Sequence, residues 1–257
     1  MSDNPNGNLA DKRVEYARTI HGSGSDLLTL INDILDLSKI ESGTVTLQMS
    51  EYRFMAIRSY VERTFRHMAE AKQLGFSIEL NNSLPASMIT DTTRLQQILK
   101  NLLSNAFKFT SRGQVTLNIS LTHAGWTADH PKLSPADAVL AFAVTDSGVG
   151  IAADKLQLIF EAFQQADGST ARRYGGTGLG LSISRELARL LGGEIRVESE
   201  VDVGSTFTLF LPYQRGTAVK DFSIDNNSLR TPALPPNVVY THATKAPSAN
   251  ITEQPVE

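Results

Sequence analysis

Between residues 11 and 41, positions Tyr16, Ile20, Ser23, Leu27, Leu30, Ile34 and Leu37 recur at spacings of four and three, and all but one are apolar. That is a heptad seam, and it predicts one helix of about 30 residues, about 45 Å long at 1.5 Å per residue. Gly22 and Gly24 weaken it locally, and Ser42-Gly43 ends it. A stripe of that length is not buried by its own helix, so it predicts partner helices in a dimer. The plainer arrangement is an amphipathic helix lying on its own globular domain.

Beyond Gly43 the period changes repeatedly. Val45 to Met49 reads as a strand, Phe54 to Lys72 as a helix, Phe76 to Leu80 as a strand and Asp91 to Phe109 as a helix. Gln114 to Leu121 and Val139 to Asp146 read as strands, Lys155 to Phe163 as a helix, and Leu179 to Leu191 as a helix closed by Gly192-Gly193. Strands follow at Glu194 to Ser199 and Ser205 to Leu211. Interleaving without strict βαβ alternation favours an α+β fold, a two-layer sandwich of one mixed sheet with helices on one face, preceded by the long helix. Residues 1–10 read as a disordered start. Residues 214–257, with five of the ten prolines and no sustained apolar period, read as a linker or tail. The segment His123 to Ala138 exceeds the usual hairpin length and holds the only Trp, and it reads as a surface loop. His123 and His130, with no Cys nearby, do not make a metal site.

Composition narrows the function. Hydrophobic residues are 41% and charged residues 20% of 257, which fits a globular domain. A net charge of -3 supplies no basic field for nucleic acid. The absence of Cys excludes disulfides, thiolate metal sites and thiol nucleophiles. No apolar run reaches the roughly 18 residues of a membrane span, and the first ten residues lack signal-peptide character. The expected location is cytoplasmic, with a parent protein that could itself be membrane-anchored.

Three segments offer chemistry. In the helix ending at Phe109, Leu95, Ile98, Leu99, Leu102, Leu103 and Ala106 share an apolar face, while Asn101, Asn105 and Lys108 form a narrow polar stripe. Amides at i and i+4 with a cation at i+7 suit a hydrated divalent ion and the phosphates it carries, although a solvated polar face has the same pattern. Val144 to Ile151 (VTDSGVGI) ends a strand on Asp146, an acceptor for an exocyclic amine, with Gly148 and Gly150 permitting close approach of a flat ring; a plain tight turn also fits. Gly175 to Leu181 (GGTGLGL) runs into an amphipathic helix, whose N-terminal N–H groups and dipole favour phosphate. It is neither a P-loop nor a Rossmann fingerprint.

In order, these residues resemble the ATP-binding domain of sensor histidine kinases, in particular the hybrid kinases of two-component phosphorelays. NLLSNAFKFT (Asn101 to Thr110) resembles the family's asparagine box, and DSGVG (Asp146 to Gly150) its first glycine box. FEAFQQ (Phe160 to Gln165) resembles the phenylalanine box, GGTGLGL the second glycine box and GSTF (Gly204 to Phe207) the third. The likeness covers about Asp11 to Pro212, and Leu27 to Gly43 is similar to the second helix of the family's dimerisation hairpin. It implies a partial hairpin over 11–43 and a kinase domain over 44–213. It further implies that Asn105 binds Mg²⁺ with Asn101 in support, that Lys108 contacts phosphate, and that Asp146 accepts from adenine with Gly148, Gly150 and Thr206 nearby. Gly176, Gly178, Leu179 and Gly180 would give backbone to the phosphates. Residues 164–174 would form a lid whose Arg172 and Arg173 approach the γ-phosphate, as guanidinium suits transition-state charge.

Related gyrase-like and chaperone ATPases carry a water-activating Glu four residues before the metal-binding Asn; here that position is Asn101, and an amide has no useful basicity. Transfer to a protein side chain is thereby favoured over hydrolysis. The family's acceptor His lies in a motif such as H-E-L/F-R-T-P, and none of His21, His67, His123, His130 and His242 sits in one. The acceptor-His helix is therefore expected on another segment of its own or a partner chain, and a response-regulator receiver domain is the expected next partner. The alternatives are a nucleotide-binding scaffold and an ATP-gated dimerisation clamp without kinase activity.

Overall fold

The computed structural model describes residues 11–163 and 178–214. A helix α1 (Asp11–Glu41) leads into a short strand β1 (Met49–Arg53), helix α2 (Phe54–Lys72), strands β2 (Gly75–Leu80) and β3 (Ser87–Asp91), and helix α3 (Thr92–Phe109). Strands β4 (Gln114–Thr122) and β5 (Val139–Asp146), helix α4 (Gly180–Leu190), and strands β6 (Glu194–Glu200) and β7 (Gly204–Pro212) complete it. Five strands form one sheet in the order β2-β4-β5-β7-β6, parallel only between β2 and β4, while β1 and β3 pair separately. The expected mixed sheet with helices on one face is what forms.

Strand parity sorts the sheet into two faces. Val115, Leu117 and Ile119 of β4, Leu140, Phe142 and Val144 of β5, Ile195 and Val197 of β6, and Phe207, Leu209 and Leu211 of β7 all enter one core. Against them pack Phe54, Ile57, Val61 and Phe65 of α2, the buried face of α3, and Ile183, Leu187 and Ala188 of α4. The α3 face contains every apolar residue expected there and adds Phe107, which stacks on Phe65 with ring centroids 5.5 Å apart. Asp91 caps α3, its Oδ1 accepting from Arg94 N at 3.0 Å, while Oδ2 accepts from Gln48 N at 2.9 Å.

The segment 123–138 is a cover over the far face of the sheet, where a plain surface loop was expected. Leu133 is fully buried with Val139, Ala141 and Phe210, and Trp126 meets Phe210 edge-on. Polar groups fasten it. Glu194, 3% exposed, accepts from Thr127 N at 2.6 Å and from Thr127 Oγ1 at 2.9 Å, and Arg196 Nε lies 3.2 Å from the same carboxylate. Arg196 also donates to Gly125 O. His130 is spent inside the cover, its Nδ1 accepting from Leu133 N at 3.1 Å, and burial lowers its pKa.

Three expectations shift. The first strand lies at Met49–Arg53 in place of Val45–Met49, because its partner is β3, a five-residue strand with no pattern long enough to announce it. Lys155 to Phe163 forms two single turns of 3-10 helix, Ala153–Lys155 and Leu158–Phe160, since only Leu156 and Phe160 are buried to anchor it and Phe163 already has φ 64°. The α1 seam divides: Leu30 and Leu37, with Ile40, pack on the core where α1 meets α4, while Tyr16, Ile20, Leu27 and Ile34 are exposed. Leu30, Leu37 and Ile40 thus make this part of α1 a helix lying on its own domain.

Glu194→Ala should destabilise the chain by about 3 kcal/mol in guanidinium denaturation, because it strands a nearly buried guanidinium and a backbone donor. Asn118→Ala, at a half-buried residue whose side chain bonds the exposed Glu79 carboxylate, should change stability by less than about 0.5 kcal/mol.

Candidate functional site

Asp146 ends β5 with its side chain on the helical face, the parity of Val144, and is 6% exposed. Gly148 N donates to its Oδ1 at 2.8 Å, and Ser205 N and the Thr110 hydroxyl also bond to the carboxylate. Burial pushes the Asp146 pKa up, and those three bonds oppose the rise without cancelling it. Thr110 is itself buried at the end of α3, so the C-terminal end of that helix holds the carboxylate.

The same helix reaches α4 nearer its middle. Asn101 Nδ2 donates to Gly180 O at 3.2 Å and to Ser184 Oγ at 3.3 Å. Asn105 sits one turn further along α3 and is half-buried, and Lys108 is half-buried with its ammonium 4.9 Å from the Phe109 ring centre. Burial lowers the Lys108 pKa. From Asn101 to Thr110 is nine residues, about 14 Å along the helix. An extended nucleotide spans a comparable length.

The phosphate end fits an anion. The α4 N-cap residue is Leu179, which makes no side-chain cap hydrogen bond, and a helix N-terminus is the kind of backbone site that favours an anion. Gly178 has φ 71°, a backbone conformation few side chains permit, and its carbonyl accepts from Phe163 N at 3.2 Å. Gly176, Arg172 and Arg173, and the expected lid 164–174, lie outside the described residues. Among the described residues there is no group of three or more His, Asp or Glu side chains able to hold a metal. Mg²⁺ takes oxygen donors and keeps several waters, and the half-buried Asn105 amide offers one such oxygen.

A family model described as "Histidine kinase-, DNA gyrase B-, and HSP90-like ATPase" matches residues 90–215, which contain α3, Asp146, α4 and β7. This chain carries an ATP-binding catalytic domain of the histidine-kinase family. Autoinducer 2 sensor kinase/phosphatase LuxQ of Vibrio vulnificus (strain YJ016) is 40% identical over 196 residues, 76% of this chain and 22% of LuxQ. Circadian input-output histidine kinase CikA of Synechococcus elongatus is 41% identical over 211 residues, 81% of this chain and 26% of CikA. The crystal structure of full-length ShkA in complex with AMPPNP matches with a TM-score of 0.67 at 30% identity, covering 82% of this chain and 41% of that one. The chain thus spans about a quarter of the length of these curated relatives.

Within this histidine-kinase-type domain, three glycine-box residues serve the fold in ways spacing did not reveal. A Cβ on Gly148 would stand 2.6 Å from Phe109 O, and one on Gly150, at φ 66°, 2.0 Å from Glu200 O. Gly204, at φ 136°, would bring a Cβ to 2.0 Å from Asp146 O. Their missing side chains let the turns close on α3 and on the β6–β7 hairpin.

Thr206, expected near the base, lies on the opposite face of the sheet. Its Oγ1 is 3.0 Å from Thr145 Oγ1, and both have the parity that points away from the helices. The hydroxyl beside Asp146 belongs to Ser205, which pairs with Asp146 across the strands and lies 2.9 Å from Ser199 Oγ. Counting back two from the inward Phe207 would have found it. Ser199 in turn accepts from Ile151 N at 2.8 Å, tying the first glycine box to the third.

A raised carboxylate pKa means that the folded state binds a proton more readily than the unfolded chain, so Asp146 contributes stability at low pH that is lost as pH rises through its folded value. Denaturation of Asp146→Asn measured from pH 4 to pH 8 should accordingly show the variant gaining on the parent as pH increases. A constant difference between the two would contradict the shift.

Proposed function

We propose that the domain binds Mg-ATP and transfers the γ-phosphoryl group to a histidine imidazole carried on another polypeptide segment. The observation that carries this reading is the placement of a buried, raised-pKa carboxylate and the N-terminus of α4 along one helix, with Asn105 and Lys108 between them. Asp146 would accept from the adenine amine, with Ser205 beside it. The α4 N-terminus at Gly178, Leu179 and Gly180 would take the phosphates, together with Gly176. Lys108, with Arg172 and Arg173, would face their charge.

Asn105 would hold Mg²⁺, which when bound neutralises charge on the phosphate oxygens. An unprotonated imidazole nitrogen forms the N–P bond as the bond from Pγ to the bridging oxygen breaks. ADP leaves with that electron pair, and the other ring nitrogen releases its proton to water. No base on this domain is needed, so catalysis rests on positioning and charge neutralisation. Asn101 at the position of the water-activating Glu supports transfer over hydrolysis.

None of the five His lies in an acceptor motif, so this chain alone would bind Mg-ATP without labelling itself. The resemblance to hybrid kinases supports a receiver-domain Asp as the next acceptor. The exposed Tyr16, Ile20, Leu27 and Ile34, continued by Leu28, Ile31 and Leu35, support a homodimer through α1. Among the described residues no helix is long and apolar enough to cross a membrane, and the site would work on the cytoplasmic side.

Titration calorimetry with Mg²⁺ and a non-hydrolysable ATP analogue should show binding by the parent, and at least a hundredfold weaker binding by Asp146→Ala, about 2.7 kcal/mol. With labelled ATP, acid-labile and base-stable label should appear only on an added acceptor-helix protein. Nucleotide binding with no label on any such acceptor would leave a scaffold or clamp.

A further inference from the structure

We propose that Asn101 is a positioning residue that fixes the phosphate-binding turn of α4 against α3, and that it gives no hydrogen bond to phosphate. The inference rests on the nucleotide reading above and assigns Asn101 a different task within it. An amide nitrogen has two hydrogens, and both are used: one on Gly180 O at 3.2 Å, the other on Ser184 Oγ at 3.3 Å. The orientation of the amide follows from chemistry, because the Gly180 carbonyl only accepts and must face Nδ2.

Phosphate oxygens at physiological pH also only accept. With both hydrogens committed, Asn101 has no donor for a phosphate, and its remaining polar atom is the acceptor Oδ1. Ser184 is fully buried and Gly180 begins the helix whose first turn forms the anion site, so the amide grips α4 at its first residue and again one turn later. Four residues along α3 from that grip stands Asn105. The brace makes the metal position on α3 and the phosphate position on α4 parts of one rigid unit. The Asp146 pocket is built separately, by Thr110, Gly148 and Ser205.

That separation gives the test a signature that general loss of structure would not produce. Asn101→Asp is nearly isosteric but turns both donors into acceptors facing the Gly180 carbonyl, and Ser184→Ala removes one end of the brace. Both variants and their double are titrated with adenosine, and with Mg²⁺ plus the non-hydrolysable ATP analogue. Asn101→Asp should weaken Mg-nucleotide binding by about tenfold or more while adenosine affinity stays within about twofold of the parent. Ser184→Ala should act in the same direction to a smaller extent, and the double variant should lose no more than Asn101→Asp alone.

Equal loss for both ligands, or no loss for either, overturns the proposal. So does tighter Mg²⁺ binding by Asn101→Asp, since a new carboxylate would strengthen a site that Asn101 touched directly. If Asn101→Asp does not fold, Ser184→Ala carries the same comparison. A parent chain that binds neither ligand rejects the nucleotide reading itself, and the positioning role with it.

Discussion

The packing of α3 onto the mixed sheet is the constraint on which the rest depends. Seven side chains from Leu95 to Phe107 are buried against β4, β5, α2 and α4, and all but Ala106 are worth about 2 kcal/mol each on removal from water. That seam leaves the opposite stripe of the helix no choice of direction. Asn101 must meet α4, because a helix is rigid and 100° per residue fixes each side chain relative to the apolar face, and Thr110, the extended residue that ends the helix, reaches the end of β5. The candidate site is thus a by-product of core packing: the groups that would meet a nucleotide lie along the helix that organises the fold.

The sheet's second face shows the same economy. Left open, Val139, Ala141 and Phe210 would expose an apolar patch on an otherwise hydroxyl-rich surface that includes Thr145 and Thr206. The segment 123–138 closes it with Leu133 and Trp126, and Glu194 and Arg196 satisfy the polar groups that come with it. Thr127 and the Gly125 carbonyl give that ion pair further hydrogen bonds, which offset part of the cost of burying it. Asp146 differs in kind. It is buried without an opposing cation among its contributors, and only three neutral donors resist the rise in its pKa, the arrangement expected of a carboxylate kept for a ligand's amine.

Much of this was legible in residue order. The α3 face, the α2 and α4 helices and the five strands of the main sheet follow from periods of 3.6 and 2, and the motif spacings named the family before any fold was known. What escaped was whatever depends on a distant partner. β3 has five residues and exists because β1 pairs with it, and the 155–163 segment failed as a helix because only Leu156 and Phe160 found a core. Thr206 was misplaced by a motif reading that ignored parity, although the alternation through Phe207 and Leu209 assigns Ser205 to the inner face.

The sequence by itself determined the main helices, the five strands of the large sheet and their buried faces, since these depend on local periodicity and on residue types at short spacing. Only the tertiary structure decided that Asn101 spends its amide on Gly180 and Ser184, that Gly148 and Gly204 make room for backbone, and that the 123–138 segment is a cover. Those facts join distant residues, 39 positions apart for Gly148 and Phe109 and 83 for Asn101 and Ser184, and a linear pattern carries no distance between its ends until the core has closed around them.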